Sequence, residues 1–211
     1  MVLSAFTHIW NPIGFPHIDQ DEGHYMRRAM QVIEGQGPQE SNNTYFYPYD
    51  HPYFGQLFLG GVLKLIGYPD ILSPKAGDVH SIEMLYLVPR VIMGLLAVVD
   101  TFLIYKIAEY RYNRNIAFIA AILFAVMPLS LLTRGIFLDS ILLPFLLASI
   151  LFGIYSKGTK TIDGSKRNTT NLFVLLSGIF FGLAIFTKAP LVTMIPLIAF
   201  IIINNSNKNL K

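Results

Sequence analysis

From Met84 onward the chain consists of apolar stretches of membrane-spanning length separated by short polar loops. A helix needs about 20 mostly apolar residues to cross a bilayer, and a backbone in hydrocarbon must satisfy its own hydrogen bonds. The expected fold is therefore all-α, a polytopic transmembrane helix bundle. The pattern predicts spans at about 84–105, 115–133 and 136–156. The run 172–203, "LFVLLSGIFFGLAIFTKAPLVTMIPLIAFIII", is too long for one span. Lys188 and Pro190 divide it, so it reads as two short helices meeting at a membrane surface, giving about five helices in all. Composition agrees: only 14% of residues are charged, against about 25% in soluble domains.

Charge then orients the bundle. Residues 106–114 carry Lys106, Arg111 and Arg114 against Glu109, and 157–167 carry Lys157, Lys160, Lys166 and Arg167 against Asp163. With five spans these loops and the tail 205–211 share one side, which the positive-inside rule places in the cytoplasm. Residues 1–83 hold nine acids and four bases and fall outside. The division is thus an extracytoplasmic segment 1–83, a bundle 84–204 and a cytoplasmic tail, in a multi-pass protein of the cell membrane. Within the first segment, "EGHYMRRAMQVIEG" reads as a short helix ended by Gly35 and Gly37. "FGQLFLGGVLKLIGYP" reads as a helix lying on the membrane surface. A polar segment outside needs a preceding span, and "MVLSAFTHIW" is long enough only for the end of one. The chain is therefore expected to be a fragment of a longer polytopic protein. There is no cysteine, hence no disulfide framework, thiolate metal site or Cys nucleophile. The net charge of +3 is small and segregated, which argues against a nucleic-acid partner.

Several polar residues are out of place in so apolar a chain. Asp21 and Glu22 are adjacent carboxylates in "HIDQDEGHYMRRAM", suited to general base work or simply to a helix N-terminus. "YFYPYDHPYFG" sets Asp50 and His51 among six aromatics, with His51 held extended by Pro52. Either residue could meet a phosphate or a metal. Asp50, Glu22 and His51 could also ligate a divalent ion through oxygen and nitrogen. Arg90, Arg134, Asp139 and Lys188 sit in or at the ends of apolar runs, where charges are costly and usually face a polar cavity. In the topology above all four lie at the outer ends of their spans, on the side of the acidic pair. Three cations beside a carboxylate pair make a pattern that grips a phosphate next to a base. A transporter pathway would use similar charges, but these cluster at one face with no inverted repeat. A non-catalytic membrane subunit or a truncated remnant is the other alternative.

These residues resemble, in order, the motifs of class C membrane glycosyltransferases, especially protein O-mannosyltransferases and the related aminoarabinose transferases that act on lipid A. The resemblance lies in Asp21–Glu22 followed by Tyr25, "DHPYFGQ" before a surface helix, Arg90 early in the next span, "RGIFLD" giving Arg134 and Asp139, and "GLAIFTK" ending at Lys188. Tyr53 stands where the family has a second proline. The resemblance covers the N-terminal part of the family fold. It implies a polyprenyl-phosphate sugar as donor, a hydroxyl on a protein, lipid or glycan as acceptor, and inversion at the anomeric carbon. It also implies roles: Asp21 as base with Glu22 orienting; His51, Arg90, Arg134 and Lys188 on the donor phosphate; and Tyr25, Asp50 and Asp139 near sugar or acceptor. The apolar helices and surrounding membrane lipids would hold the polyprenyl tail.

The topology is open to a direct test. Single cysteines at Ser41 and Ser165 are expected to react differently with an impermeant thiol reagent in intact cells, Ser41→Cys labelling and Ser165→Cys not. The opposite result reverses the orientation.

Overall fold

The computed structural model describes residues 1–37, 51–74, 78–156 and 164–206, without the side chains of 164–168 and 204–206. Its described residues are helical, with no strand: α1 (Val2–Ile9), α2 (Gln20–Ile33), α3 (Phe54–Leu65), α4 (Val79–Arg111), α5 (Arg114–Val126), α6 (Pro128–Leu132), α7 (Leu138–Tyr155), α8 (Gly164–Thr187), a 3-10 helix (Ala189–Met194) and α9 (Ile195–Ser206). Three are long and apolar enough to cross a membrane: Val79–Arg111, Leu138–Tyr155 and Thr169–Thr187. The expected five also counted α5 with α6 and the stretch 189–203, both of which are shorter apolar helices.

Local chemistry explains the boundaries. Asp78 caps α4 by accepting the Ser81 N–H. That helix begins five residues before the expected span and runs through the basic residues expected in a loop. At 33 residues it is about 50 Å long. Asn113 caps α5 in the same way, through the Ile116 N–H, so only a two-residue turn joins the helices. The expected span 115–133 is not continuous. Met127 is extended (φ −65°, ψ 130°) and Pro128 opens α6, because a proline lacks the N–H and turns the preceding residue away from helix. The run 172–203 breaks at Lys188, whose backbone is extended before Ala189 and Pro190.

Packing follows membrane rather than aqueous rules. Leu95, Val99, Phe102, Phe118, Leu123, Leu175, Phe186 and Phe200 are exposed, a surface no soluble monomer would carry. The interior instead uses small and hydroxyl residues, which let helix backbones approach. α7 and α8 meet where Ser177 donates to the Ser149 carbonyl at 2.8 Å. α1 lies on α4 through Ser4 and Thr101, whose hydroxyls are 2.7 Å apart, and through Gly94, which faces the His8 backbone. α2 and α3 pack together over one end of the bundle, sharing a buried cluster of Met26, Ala29, Leu59, Leu63 and Leu85. The Tyr68 hydroxyl ties the α3–α4 loop to the end of α2 by donating to Glu34 at 2.7 Å. Burial and this carboxylate push the Tyr68 phenol up to about 12.

A β-carbon at Gly94 would lie 2.5 Å from the His8 carbonyl oxygen, while one at Gly178 would meet nothing within 4 Å. Gly94→Ala is therefore expected to lower stability by about 1–3 kcal/mol, the range of overpacking. Gly178→Ala should be neutral or raise stability slightly through helix propensity. Thermal unfolding of the two variants in detergent measures the difference.

Candidate active site

The acidic pair lies on the first turn of α2, and the helix sends the two carboxylates apart. Asp19 is the N-cap, accepting the Asp21 N–H at 3.0 Å. Glu22, three residues on, reaches back to the Asp19 N–H at 3.3 Å. This is a capping box, and it uses Glu22 as the N3 acceptor. Glu22 is fully buried, whereas Asp21 is exposed with no side-chain partner among the described residues.

Glu22 turns inward onto Arg90. Arg90 Nε donates to Glu22 Oε2 at 2.9 Å and Nη2 to Oε1 at 2.5 Å. Arg90 Nη1 donates to the carbonyls of Pro12 and Pro16, both at 2.7 Å. Glu22 Oε2 also accepts the Ile136 N–H at 3.0 Å. Arg90 is 1% exposed. The sequence leads one to expect Arg90 on a donor phosphate and Glu22 beside the reacting hydroxyl. In the structure the two side chains engage each other. Each nitrogen of the guanidinium already has a partner, and the carboxylate is closed off from solvent. Together they fasten α2, α4, the loop after α1 and the turn before α7 at one point.

Arg134 sits on that turn. A β-carbon at the next residue, Gly135, would stand 3.2 Å from Glu22 Oε1, so the turn presses against the first turn of α2. Arg134 Nη2 donates to the Trp10 carbonyl and the guanidinium lies 5.6 Å from the Phe15 ring centroid. Its Nε has no hydrogen-bond partner, and no carboxylate pairs with it among the described residues. Burial, then the nearby Arg90 charge, pulls its pKa below the ordinary value.

Lys188 and Asp139 meet across the same end of the bundle. Lys188 Nζ donates to both Asp139 oxygens at 2.9 Å, and both side chains remain partly exposed. The start of α3 wedges beside them, with Gly55 seated against Leu138 and Thr187. A side chain there would collide with Leu138, so glycine permits the approach. His51 precedes this helix, its ring 6.3 Å from that of Tyr25 on α2. An apolar hollow of about 210 Å³, lined by Leu129, Leu132, Thr133, Phe137 and Asp139, opens next to the pair.

The fold thus gathers Asp21, Glu22, Tyr25, His51, Arg90, Arg134, Asp139 and Lys188 at one end of the bundle; Asp50 lies outside the described residues. No group of three His, Asp or Glu side chains suited to a metal occurs among the described residues. For the trio Asp50, Glu22 and His51, Glu22 is already committed to Arg90. Sequence reasoning missed the carbonyls of Trp10, Pro12 and Pro16, because backbone acceptors leave no residue signature. The D-x-x-E spacing of Asp19 and Glu22 is the signal from which the capping box could have been read.

Breaking the Glu22–Arg90 pair should act on folding as well as on activity. Removing one partner of a buried ion pair typically costs about 3–5 kcal/mol. Glu22→Gln and Arg90→Met are each expected to lower the unfolding temperature markedly, with a double mutant less destabilised than the two effects added. Additive losses in a double-mutant cycle would mean that the pair is not coupled.

A family model described as dolichyl-phosphate-mannose-protein mannosyltransferase matches residues 1–211. No curated protein matches the chain. The chain belongs to the dolichyl-phosphate-mannose-protein mannosyltransferase family, a family of membrane glycosyltransferases.

Proposed function

We propose that this member of the mannosyltransferase family moves a sugar from a polyprenyl-phosphate donor to a hydroxyl acceptor, a protein in the family's general pattern, with inversion. The reaction would take place on the extracytoplasmic side, at the end of the bundle that carries α2 and α3. The observation that carries the reading is one juxtaposition. Asp21 is exposed and unpartnered on the turn of α2 that packs against the Arg134 turn, and Arg134 is a buried cation without a carboxylate among the described residues.

In this reading Asp21 takes the proton of the acceptor hydroxyl as its oxygen attacks the anomeric carbon. The bond from that carbon to the phosphate oxygen breaks, and its electron pair leaves with the polyprenyl phosphate. The transition state is oxocarbenium-like, and negative charge grows on the departing phosphate. Arg134 stabilises that charge from a fixed position, the kind of preorganisation that gives electrostatics its weight in catalysis. Lys188 and His51 approach the phosphate from the α3 side, and Asp139 holds Lys188 in place until it does. Tyr25, one helical turn after Asp21, faces the sugar or acceptor, as would Asp50. Glu22 and Arg90 touch no reacting group; they hold the base at its station.

The test separates the base from the phosphate grip. Asp21→Asn is expected to cut turnover by about 10²–10⁴-fold, the usual contribution of general base catalysis, with donor binding and unfolding temperature unchanged. Arg134→Ala removes a charge-assisted contact and should weaken donor binding by about 1.5–3 kcal/mol as well. The assay uses the full-length protein with polyprenyl-phosphate mannose and peptide acceptors. An Asp21→Asn variant that keeps near wild-type turnover would refute the assignment.

A further inference from the structure

Arg134 is 3% exposed, so a phosphate can reach it only if something moves. Two groups cover the guanidinium. Nη2 donates to the Trp10 carbonyl, and the carbon that joins the three nitrogens lies over the ring of Phe15, 5.6 Å from its centroid. Nε is buried and has no hydrogen-bond partner. The two covers differ in kind. The carbonyl is backbone at the end of α1, whereas the ring is a side chain that can turn about its own bonds.

The loop that carries Phe15 is fixed at its backbone. Arg90 Nη1 holds the Pro12 and Pro16 carbonyls, on either side of Phe15, at 2.7 Å. The Phe15 N–H donates to the Asn11 carbonyl at 3.0 Å, and the Gly14 N–H to the Asn11 side chain at 3.1 Å. The ring is held less firmly. Phe15 is 45% exposed, and a cation–π contact at so open a position is a weak attraction. A rigid frame that carries one loosely held ring over a buried cation has the construction of a lid.

The chemistry of this lid sets what can open it. Lifting the ring gives up the contact with the cation and uncovers apolar surface. Inorganic phosphate would replace the contact but leave the apolar surface bare. A phosphate esterified to an apolar chain replaces both, because the chain covers what the ring exposes. We propose that Phe15 is a specificity-determining residue, a lid that keeps soluble anions off Arg134 and yields to a phosphate carried on an apolar chain. The identity of that ligand, a polyprenyl phosphate, rests on the transferase reading; the lid itself does not.

Two measurements on the full-length protein in detergent test it. The first is modification by the arginine reagent phenylglyoxal, mapped by peptide mass spectrometry, with Arg114, 86% exposed, as the internal reference. Arg134 of the wild type should react far more slowly than Arg114. In Phe15→Ala it should react about two- to thirty-fold faster than in the wild type, the span of a lost cation–π contact. Phe15→Leu keeps apolar bulk without a ring face and should fall between the two; it decides alone if the alanine variant does not fold. Phe118→Ala, an exposed position on α5, should leave the Arg134 rate unchanged. The second measurement is displacement of bound polyprenyl phosphate by inorganic phosphate, which should fail with the wild type and succeed with Phe15→Ala. The same Arg134 rate in the wild type and the Phe15 variants overturns the lid, and equally easy displacement overturns the selectivity. A wild type that retains no polyprenyl phosphate sinks the transferase reading and the selectivity with it, while a faster Arg134 in Phe15→Ala would still uphold the lid.

Discussion

The architecture of the site depends on one buried ion pair. Glu22 and Arg90 face each other at 1% exposure or less, in surroundings where either charge alone would be very costly. What makes the pair tolerable is its hydrogen bonding: the carboxylate accepts from Arg90, from the Ile136 N–H and from its own helix cap, and the guanidinium's Nη1 donates to two proline carbonyls. Four separate pieces of chain meet at these two side chains. A hydrophobic replacement could fill the volume but could not set all four directions at once.

The membrane supplies the complementary constraint. Because the outside of the bundle is as apolar as its interior, burial does not tell the helices how to pair, and the interior relies on close approach and hydroxyl bonds instead. Gly94 under α1, Ser149 with Ser177, and Gly55 against Leu138 are the contacts at which this happens. The last also matters chemically, since it sets the start of α3 beside Lys188 and Asp139. Apart from Asp100, buried within α4, the charged residues described above stand at the ends of the bundle, where they pair with each other or, like Arg134, lie among carbonyls and rings.

Much of this was legible in the sequence because its signals are local. Apolar run length gives the long helices, Gly35 and Gly37 end α2 with positive φ, and Lys188 with Pro190 marks the break that the structure shows. Misplaced charges pointed to Arg90, Arg134, Asp139 and Lys188 through their cost alone. What was not legible is which charge meets which. The adjacent acids looked like one functional pair, but a helical step of about 100° sends one to solvent and the other to Arg90. Likewise Pro128 stood in plain view inside the expected span 115–133, but the apolar run length outweighed it. Partners contributed by backbone atoms, such as the carbonyls of residues 10, 12 and 16, have no signature to read.

The length of α4 has a consequence for where chemistry can occur. At about 50 Å this helix exceeds the hydrocarbon core, about 30 Å, by some two-fifths of its own length. The apolar run within it, about 84–105, is about 33 Å long and matches the core, so the polar ends 79–83 and 106–111 project beyond it. Lys106 and Arg111 near one end can seek one headgroup layer, and the rod transmits that choice to Arg90, and through Arg90 to α2. A change in bilayer thickness would then be felt as a change in the height of the carboxylate turn above the lipid, with tilt of α4 as the compensating motion.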